Sequence, residues 1–215
     1  MIARCLLALA LTTAPAAACE TALLLAMDVS GSIDAGEYRL QLEGLAAALS
    51  DPTVVEALVS GGDLIAVMQW SGAGQTRLSL GWTEVTTPAA AMALAARVRA
   101  LPRAFGRSDT AVGDAIAFAA DQFSGAARCR RHVTDISGDG PVNAGRPVGP
   151  ARHAAELRGI TLNGLAIDDM GRTVTNFYAG HVATRDGFVV TARGHEDYHR
   201  AIRLKLIREL NRPSS

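Results

Sequence analysis

The sequence predicts a three-layer, doubly wound α/β domain on a mostly parallel six-stranded sheet with one antiparallel edge strand. Three observations predict it. Short apolar runs alternate with amphipathic helical stretches along the whole chain, as parallel strands joined by crossover helices require. The runs 22–28 and 63–70 are largely apolar, which suits strands covered on both faces. One run, 76–82, alternates apolar and polar residues after the turn Ser71-Gly72-Ala73-Gly74, which marks an antiparallel edge.

Each element has a local justification. The first strand, 22–28, ends in Asp28, and Asp34-Ala35-Gly36-Glu37 then reads as a capping box with Asp in place of Ser or Thr. Tyr38, Leu42, Leu45 and Leu49 follow at helical spacing, and Asp51-Pro52 ends or interrupts that helix. After the edge strand, Pro88 opens a helix that runs to 101 and is closed by Pro102. The polar loop Gly106-Arg107-Ser108-Asp109-Thr110 leads into a helix with Val112, Ile116, Ala119 and Phe123 on one face. A fourth strand, 131–137, runs into Gly138-Asp139-Gly140-Pro141. A short helix, 150–158, is closed by Gly159. Strands at 160–167 and 187–191 follow, then a last helix, 196–210, with Ile202, Leu206 and Leu210 on one face.

Residues 1–18 are not read as part of this domain. A short basic start with Arg4, an apolar stretch and Ala16-Ala17-Ala18 form a secretory signal peptide, too short for a membrane span. Cleavage after Ala18 leaves a single domain over 19–215, exported to the periplasm or secreted. Lipid attachment at Cys19 is the alternative, disfavoured because Ala16 stands where a lipoprotein signal carries Leu. Loss of Arg4 from a chain with 21 basic and 21 acidic residues leaves a charge of about −1. Such a balance argues against nucleic-acid or anionic-membrane binding, and no second long apolar run offers a membrane span.

Two cysteines remain, Cys19 and Cys129. An even pair in an exported chain suggests a disulfide. Cys19 precedes Asp28, and Cys129 precedes Asp139, by nearly the same interval, which places both at the starting edge of neighbouring strands. A free buried thiol at each position is the alternative.

The most informative stretch is Asp28-Val29-Ser30-Gly31-Ser32. Alternation brings Asp28, Ser30 and Ser32 together as the chain leaves the strand, with Gly31 allowing a tight bend. Converging oxygen side chains at a strand end suit a hard cation such as Mg2+. A plain strand-to-helix turn is the other reading, since Asp and Ser favour such turns. Ligands of open α/β sheets bind outside the carboxyl ends of strands, where the strand order reverses. Thr110 and Asp139 fall in loops that reach the same edge.

Asp28, Ser30, Ser32, Thr110 and Asp139 with Gly140 resemble the metal-ion-dependent adhesion site of the von Willebrand factor type A (VWA) domain, a Rossmann-like fold. The order and separation of the motifs fit across essentially the whole mature chain. Ala26-Met27-Asp28-Val29-Ser30-Gly31-Ser32, Cys129-Arg130-Arg131, Ser137-Gly138-Asp139-Gly140-Pro141 and Lys205-Leu206-Ile207-Arg208-Glu209 further resemble a bacterial secreted branch of that superfamily, which carries no activity with it. The resemblance implies that the serines bind Mg2+ directly and Thr110 directly or through water. It implies that the two aspartates act largely through waters. It also implies a protein partner whose Asp or Glu carboxylate completes the coordination. Mn2+ and Ca2+ share these oxygen ligands. The family often has Gly shortly before its Thr, where this chain has Ser108-Asp109. Asp109 is read as a cap of the following helix, with a place beside the ligands as the alternative. The family also implies that the last helix can move; a fixed core helix is the default here.

Other polar residues receive plainer readings. Asp135, inside the fourth strand, lies near an edge or pairs with an arginine such as Arg131. Asp168-Asp169 is a loop or helix cap, with a second cation as the alternative. His195 and His199 lie on a solvated helix face, and Trp70 and Trp82 pack against the sheet. An aspartyl-nucleophile phosphatase needs a second acid where Ser30 stands, and neither serine sits in a Gly-x-Ser-x-Gly elbow. A Mg2+-dependent hydrolase is therefore disfavoured, and the chain is read as a non-enzyme. A metal-free structural or assembly domain of the cell envelope is the alternative function.

Overall fold

A computed structural model describes residues 19–106, 108–169 and 171–211. The signal peptide read in 1–18 lies outside the described residues. The strands are β1 (Thr21–Asp28), β2 (Asp63–Trp70), β3 (Thr76–Val85), β4 (Arg131–Gly138), β5 (Ile160–Ile167) and β6 (Val189–Ala192). They form one sheet in the order β3-β2-β1-β4-β5-β6. Every pair is parallel except β2 with β3, so the edge strand runs as its alternation requires.

Helices cover both faces. They are α1 (Ala35–Leu49), α2 (Pro52–Gly61), α3 (Pro88–Arg99), α4 (Val112–Gln122), α5 (Val148–Leu157), α6 (Thr173–Phe177) and α7 (Tyr198–Leu210). The pleat divides β1 between two cores. Leu23, Leu25 and Met27 join residues of α1, α3 and α7, whereas Leu24 and Ala26 join residues of α4 and α5. Burial of these side chains stabilises at roughly 25 cal/mol per Å² of apolar surface and fixes the register of the central strands.

Two helices escaped the sequence reading. Asp51-Pro52 ends α1 and also begins α2. The Asp51 carboxylate accepts from the Thr53 and Val54 amides, and Pro52 occupies the first turn, where its missing amide costs nothing. The short α6 and the turn that follows it lack a long apolar period. Elsewhere the elements match, and the capping box of α1 is formed on both sides, Glu37 to Asp34 and Asp34 to Glu37.

The Cys19–Cys129 disulfide is formed, with Cα atoms 4.5 Å apart. β1 and β4 are parallel neighbours, so their starting ends lie side by side.

Two readings are corrected. Asp135 is neither near an edge nor paired with an arginine. It is buried on β4, and its carboxylate lies 2.8 Å from Nζ of Lys205, which α7 delivers across the sheet face. Lys205 also bonds Glu209, and Asn163 of β5 donates to that carboxylate at 2.9 Å. Lys205 and Glu209 have no solvent exposure. The apolar period of α7 hides them, because each sits one helical turn from its partner on the inner face. His195 is likewise buried rather than solvated, with Nδ1 3.2 Å from the Glu37 carboxylate at the start of α1. His199 is exposed as expected. Trp70 and Trp82 pack as expected, and their indole nitrogens donate to the Ala26 and Gln122 carbonyls.

Candidate functional site

Strand β1 has neighbours reached in opposite directions along the chain, β2 on one side and β4 on the other. Its carboxyl end is therefore the topological switch point, where an α/β sheet leaves a crevice. Asp28 closes β1 there, and Asp139 follows the last residue of β4.

The loops bring all five sequence-selected oxygen side chains together. Asp28 accepts from the Ser30 amide at 2.7 Å, which curls the chain back over the strand end. The Ser30 and Ser32 hydroxyls lie 3.3 Å apart. Thr110 donates to Ser30 at 3.3 Å, and Ser32 donates to Asp139 at 2.6 Å. Asp28 and Ser30 are fully buried at the floor, Thr110 is nearly so, and Ser32 is exposed at the mouth. Gly31 serves the bend differently from expectation. It is absent from the left-handed glycines among the described residues, and its amide instead donates to the Ser108 carbonyl at 2.7 Å. That bond ties the first loop to the Thr110 loop.

Sequence reasoning missed three supporting groups. The Arg103 guanidinium donates to the Val29 and Ser30 carbonyls at 2.8 and 2.9 Å and anchors the turn from below. The Asn143 side-chain oxygen accepts from the Thr110 backbone amide at 2.7 Å, and the Asn143 backbone amide donates to the Thr110 carbonyl. Tyr178, just after α6, places its hydroxyl beneath the site. Gly138 is required there, because a Cβ on it would lie 2.5 Å from the Tyr178 hydroxyl and 2.9 Å from Asp28 Oδ2. Arg103 and Asn143 are loop residues without a motif. Tyr178 could be found only by knowing which face α6 covers.

Asp109 does not cap α4. The helix starts at Val112, has no side-chain cap, and leaves Asp109 exposed at the rim. Gly140 is half-buried and unconstrained by neighbours. Asp168 caps α6, accepting from the Val174 and Thr175 amides at 3.0 and 2.8 Å. Its oxygens are thereby committed within the protein.

The electrostatics of the floor are unusual for a carboxylate. Burial pushes the Asp28 carboxyl up to about 7. The Ser30 hydroxyl and amide oppose the shift, Asp139 adds to it, and Arg103 opposes it weakly. Asp28 Oδ2 has no hydrogen-bond partner, and neither has the Tyr178 hydroxyl. A buried, unpaired carboxylate oxygen is costly unless a cation or donor meets it. Two carboxylates, one of them with an unpartnered oxygen, and three hydroxyls make a donor set that fits a hard divalent cation. Among the described residues no three His, Cys, Asp or Glu side chains converge. The candidate site therefore depends on hydroxyl ligands, which few metal motifs use.

The family described as "Protein of unknown function (DUF1194)" matches residues 18–214. The chain belongs to the DUF1194 family. No curated protein matches it. Its fold is that of a VWA domain, as solved structures show. Proximal thread matrix protein 1 from the mussel byssus is 17% identical, with a TM-score of 0.67 over 87% of this chain and 47% of that one. A second structure of the mussel protein has a "zinc occupied MIDAS motif", at 18% identity and a TM-score of 0.62. It covers 89% of this chain and 48% of that one. A von Willebrand factor type A protein from Catenulispora acidiphila is 17% identical, with a TM-score of 0.64 over 91% of this chain and 44% of that one. The DUF1194 chain thus spans about half the length of these relatives. The SpRpn10 VWA domain gives 12% identity and a TM-score of 0.55 over 83% of this chain and 93% of that one. Among the described residues no helix is long and apolar enough to cross a membrane.

Proposed function

We infer that this DUF1194 protein is an exported VWA domain that binds a protein partner through a divalent cation, preferentially Mg2+. The observation that carries the reading is the contact chain Asp28–Ser30–Ser32–Asp139 with Thr110, set at the switch point. Ser30, Ser32 and Thr110 would hold the ion, with Asp28 and Asp139 behind them. A divalent cation held there supplies a positive position at which a carboxylate from outside can bind. Neutral hydroxyls leave much of the ionic charge uncompensated, so an Asp or Glu of a partner is the fitting ligand. Asp28 contributes attraction from a buried floor, and Asp139 contributes it at the mouth. Arg103 engages the Val29 and Ser30 carbonyls, so the hydroxyls of the turn would be the groups left to hold an ion. The mussel protein's occupied motif supports a divalent metal on this fold without selecting which one.

Export is supported by the apolar start with Ala16-Ala17-Ala18 and by the Cys19–Cys129 bond, which suits an oxidising compartment. The same features support periplasmic or secreted placement.

Calorimetry with Mg2+ tests the reading on residues 19–215. Saturable binding is expected, weakened at least about a hundredfold by Asp139→Ala and by Ser30→Ala, since each removes an oxygen that the ion or its waters require. Binding that persists unchanged in both folded variants contradicts the site. Absence of binding to folded wild-type protein, even with acetate added, favours the metal-free assembly role. That role has its own support, because Ser32 and Asp139 already satisfy one another.

A further inference from the structure

A second cleft opens on the same sheet edge, one strand beyond Asp139. Its volume is about 630 Å³, and its walls include Asp168, Arg172, Thr191, Arg193, Asp197 and Arg200. Gly138 pairs with Ala166, so Asp139 and Asp168 both emerge just past paired strand ends. The cleft and the candidate metal site therefore open at the same carboxyl-end edge of the sheet, the cleft past β5 and β6 and the metal site past β1 and β4.

The charges within it are unequally engaged. Both Asp168 oxygens are taken by the start of α6. Asp197 is taken by Arg200, whose Nε donates at 2.6 Å and whose Nη2 bonds the same carboxylate. The Arg193 amide donates to Asp197 as well, at 2.9 Å. Arg200 is further held by the Thr191 carbonyl. The acids of the cleft are thus spent internally. Arg172 and Arg193 line it and are exposed, and among the described residues neither guanidinium lies within 4.0 Å of a carboxylate, although Arg193 is near enough to help lower the Asp197 carboxyl. Asp169 stands nearby at Gly194 but does not line the cleft. Guanidinium groups lining a polar cleft suit a carboxylate, whose two oxygens match the guanidinium fork.

We propose that this cleft receives a second carboxylate of the same acidic partner segment, so that the protein recognises an acidic run and not a lone Asp or Glu. The proposal rests on the metal-dependent reading for the first carboxylate and on Arg172 and Arg193 for the second. It makes recognition selective for segments with spaced acidic residues and sensitive to salt, because the arginines are exposed.

The test compares acetate with acetylated, amidated hexaglutamate in saturating Mg2+. The proteins are wild type, Arg172→Gln/Arg193→Gln, Asp139→Ala, and Arg128→Gln/Arg130→Gln as an equal charge change before β4 on the opposite edge. Hexaglutamate should bind the cleft variant about tenfold more weakly, as loss of two exposed ion pairs allows. The opposite-edge variant should change less than about twofold, and acetate should bind the cleft variant as it binds wild type. Equal weakening by both arginine pairs, or none by either, overturns the proposal. Inorganic phosphate that matches hexaglutamate in affinity and in dependence on Arg172 and Arg193 also overturns it, in favour of a small-anion site. Acetate binding that survives Asp139→Ala removes the metal reading instead, whatever the cleft variant does with hexaglutamate.

Discussion

Lys205→Met is expected to destabilise the domain by about 3–5 kcal/mol, because it leaves two buried carboxylates without their cation. Lys205 Nζ lies 2.8 Å from Asp135 and bonds Glu209, and all three residues are essentially inaccessible. The Phe188 ring lies 5.1 Å from the ammonium, and Asn163 satisfies one Glu209 oxygen. The nearby Arg131 guanidinium is held by the Thr21 hydroxyl at 3.2 Å and the Glu209 carbonyl at 3.1 Å. For a domain of this size the loss corresponds to a fall in Tm of about 10 °C. The loss also depends on pH with a definite sign. Burial already pushes the Asp135 carboxyl up to about 7, against the pull of Lys205 and with the push of Glu209. An acid whose folded value lies above its unfolded value takes up a proton on folding, so stability falls as pH rises toward the folded value. Removing Lys205 raises that value further. The variant should therefore lose more stability at pH 8 than at pH 5, as measured by denaturant unfolding at both. A triple change, Asp135→Leu/Lys205→Met/Glu209→Met, should recover most of the loss, because no buried charge remains. A single variant as stable as wild type at pH 8 would show that the three groups are not ionised together.

Removal of the Cys19–Cys129 bond by Cys19→Ala/Cys129→Ala is the second large effect, at about 4 kcal/mol. The bond joins residues 110 apart in sequence and so closes a loop that the unfolded chain would otherwise explore freely. It also holds the starting ends of β1 and β4 together, at the opposite end of the strands from Asp28 and Asp139. Most of the effect should act on overall stability and little on metal binding. Urea unfolding with and without reductant measures the first quantity, and Mg2+ calorimetry the second. A loss below about 1 kcal/mol would indicate that packing of β1 against β4 already restrains this loop.

The fold was legible because its signals are periodic. Apolar runs marked the central strands, and turn chemistry marked the ends of β2 and the start of α1. The paired positions of Cys19 and Cys129 were legible for the same reason, since parallel strands of similar length begin together. What escaped has a different physical character. Asp51-Pro52 signals both an ending and a beginning, and propensity alone does not separate them. Lys205 is buried against Asp135 and His195 against Glu37, pairings that are visible only when α7 and the turn before it have been placed on the sheet and on α1. In the site, the five oxygen residues follow from spacing, but Arg103 and Asn143 support them from two separate loops and Tyr178 from the helical turn after α6. Asp109 illustrates the opposite error, a good capping residue placed too early for the helix it precedes.

The most direct test of the central claim is the position of an ion. Crystals of residues 19–215 grown with Mn2+ and measured at its absorption edge should give one anomalous peak at Ser30, Ser32 and Thr110, with Asp139 behind them. Asp28 should lie behind that peak, and the peak should be absent in Asp139→Ala. A peak elsewhere on the molecule, or none at the switch point with those residues ordered and Mn2+ in excess, would contradict a metal-dependent adhesion site in this protein.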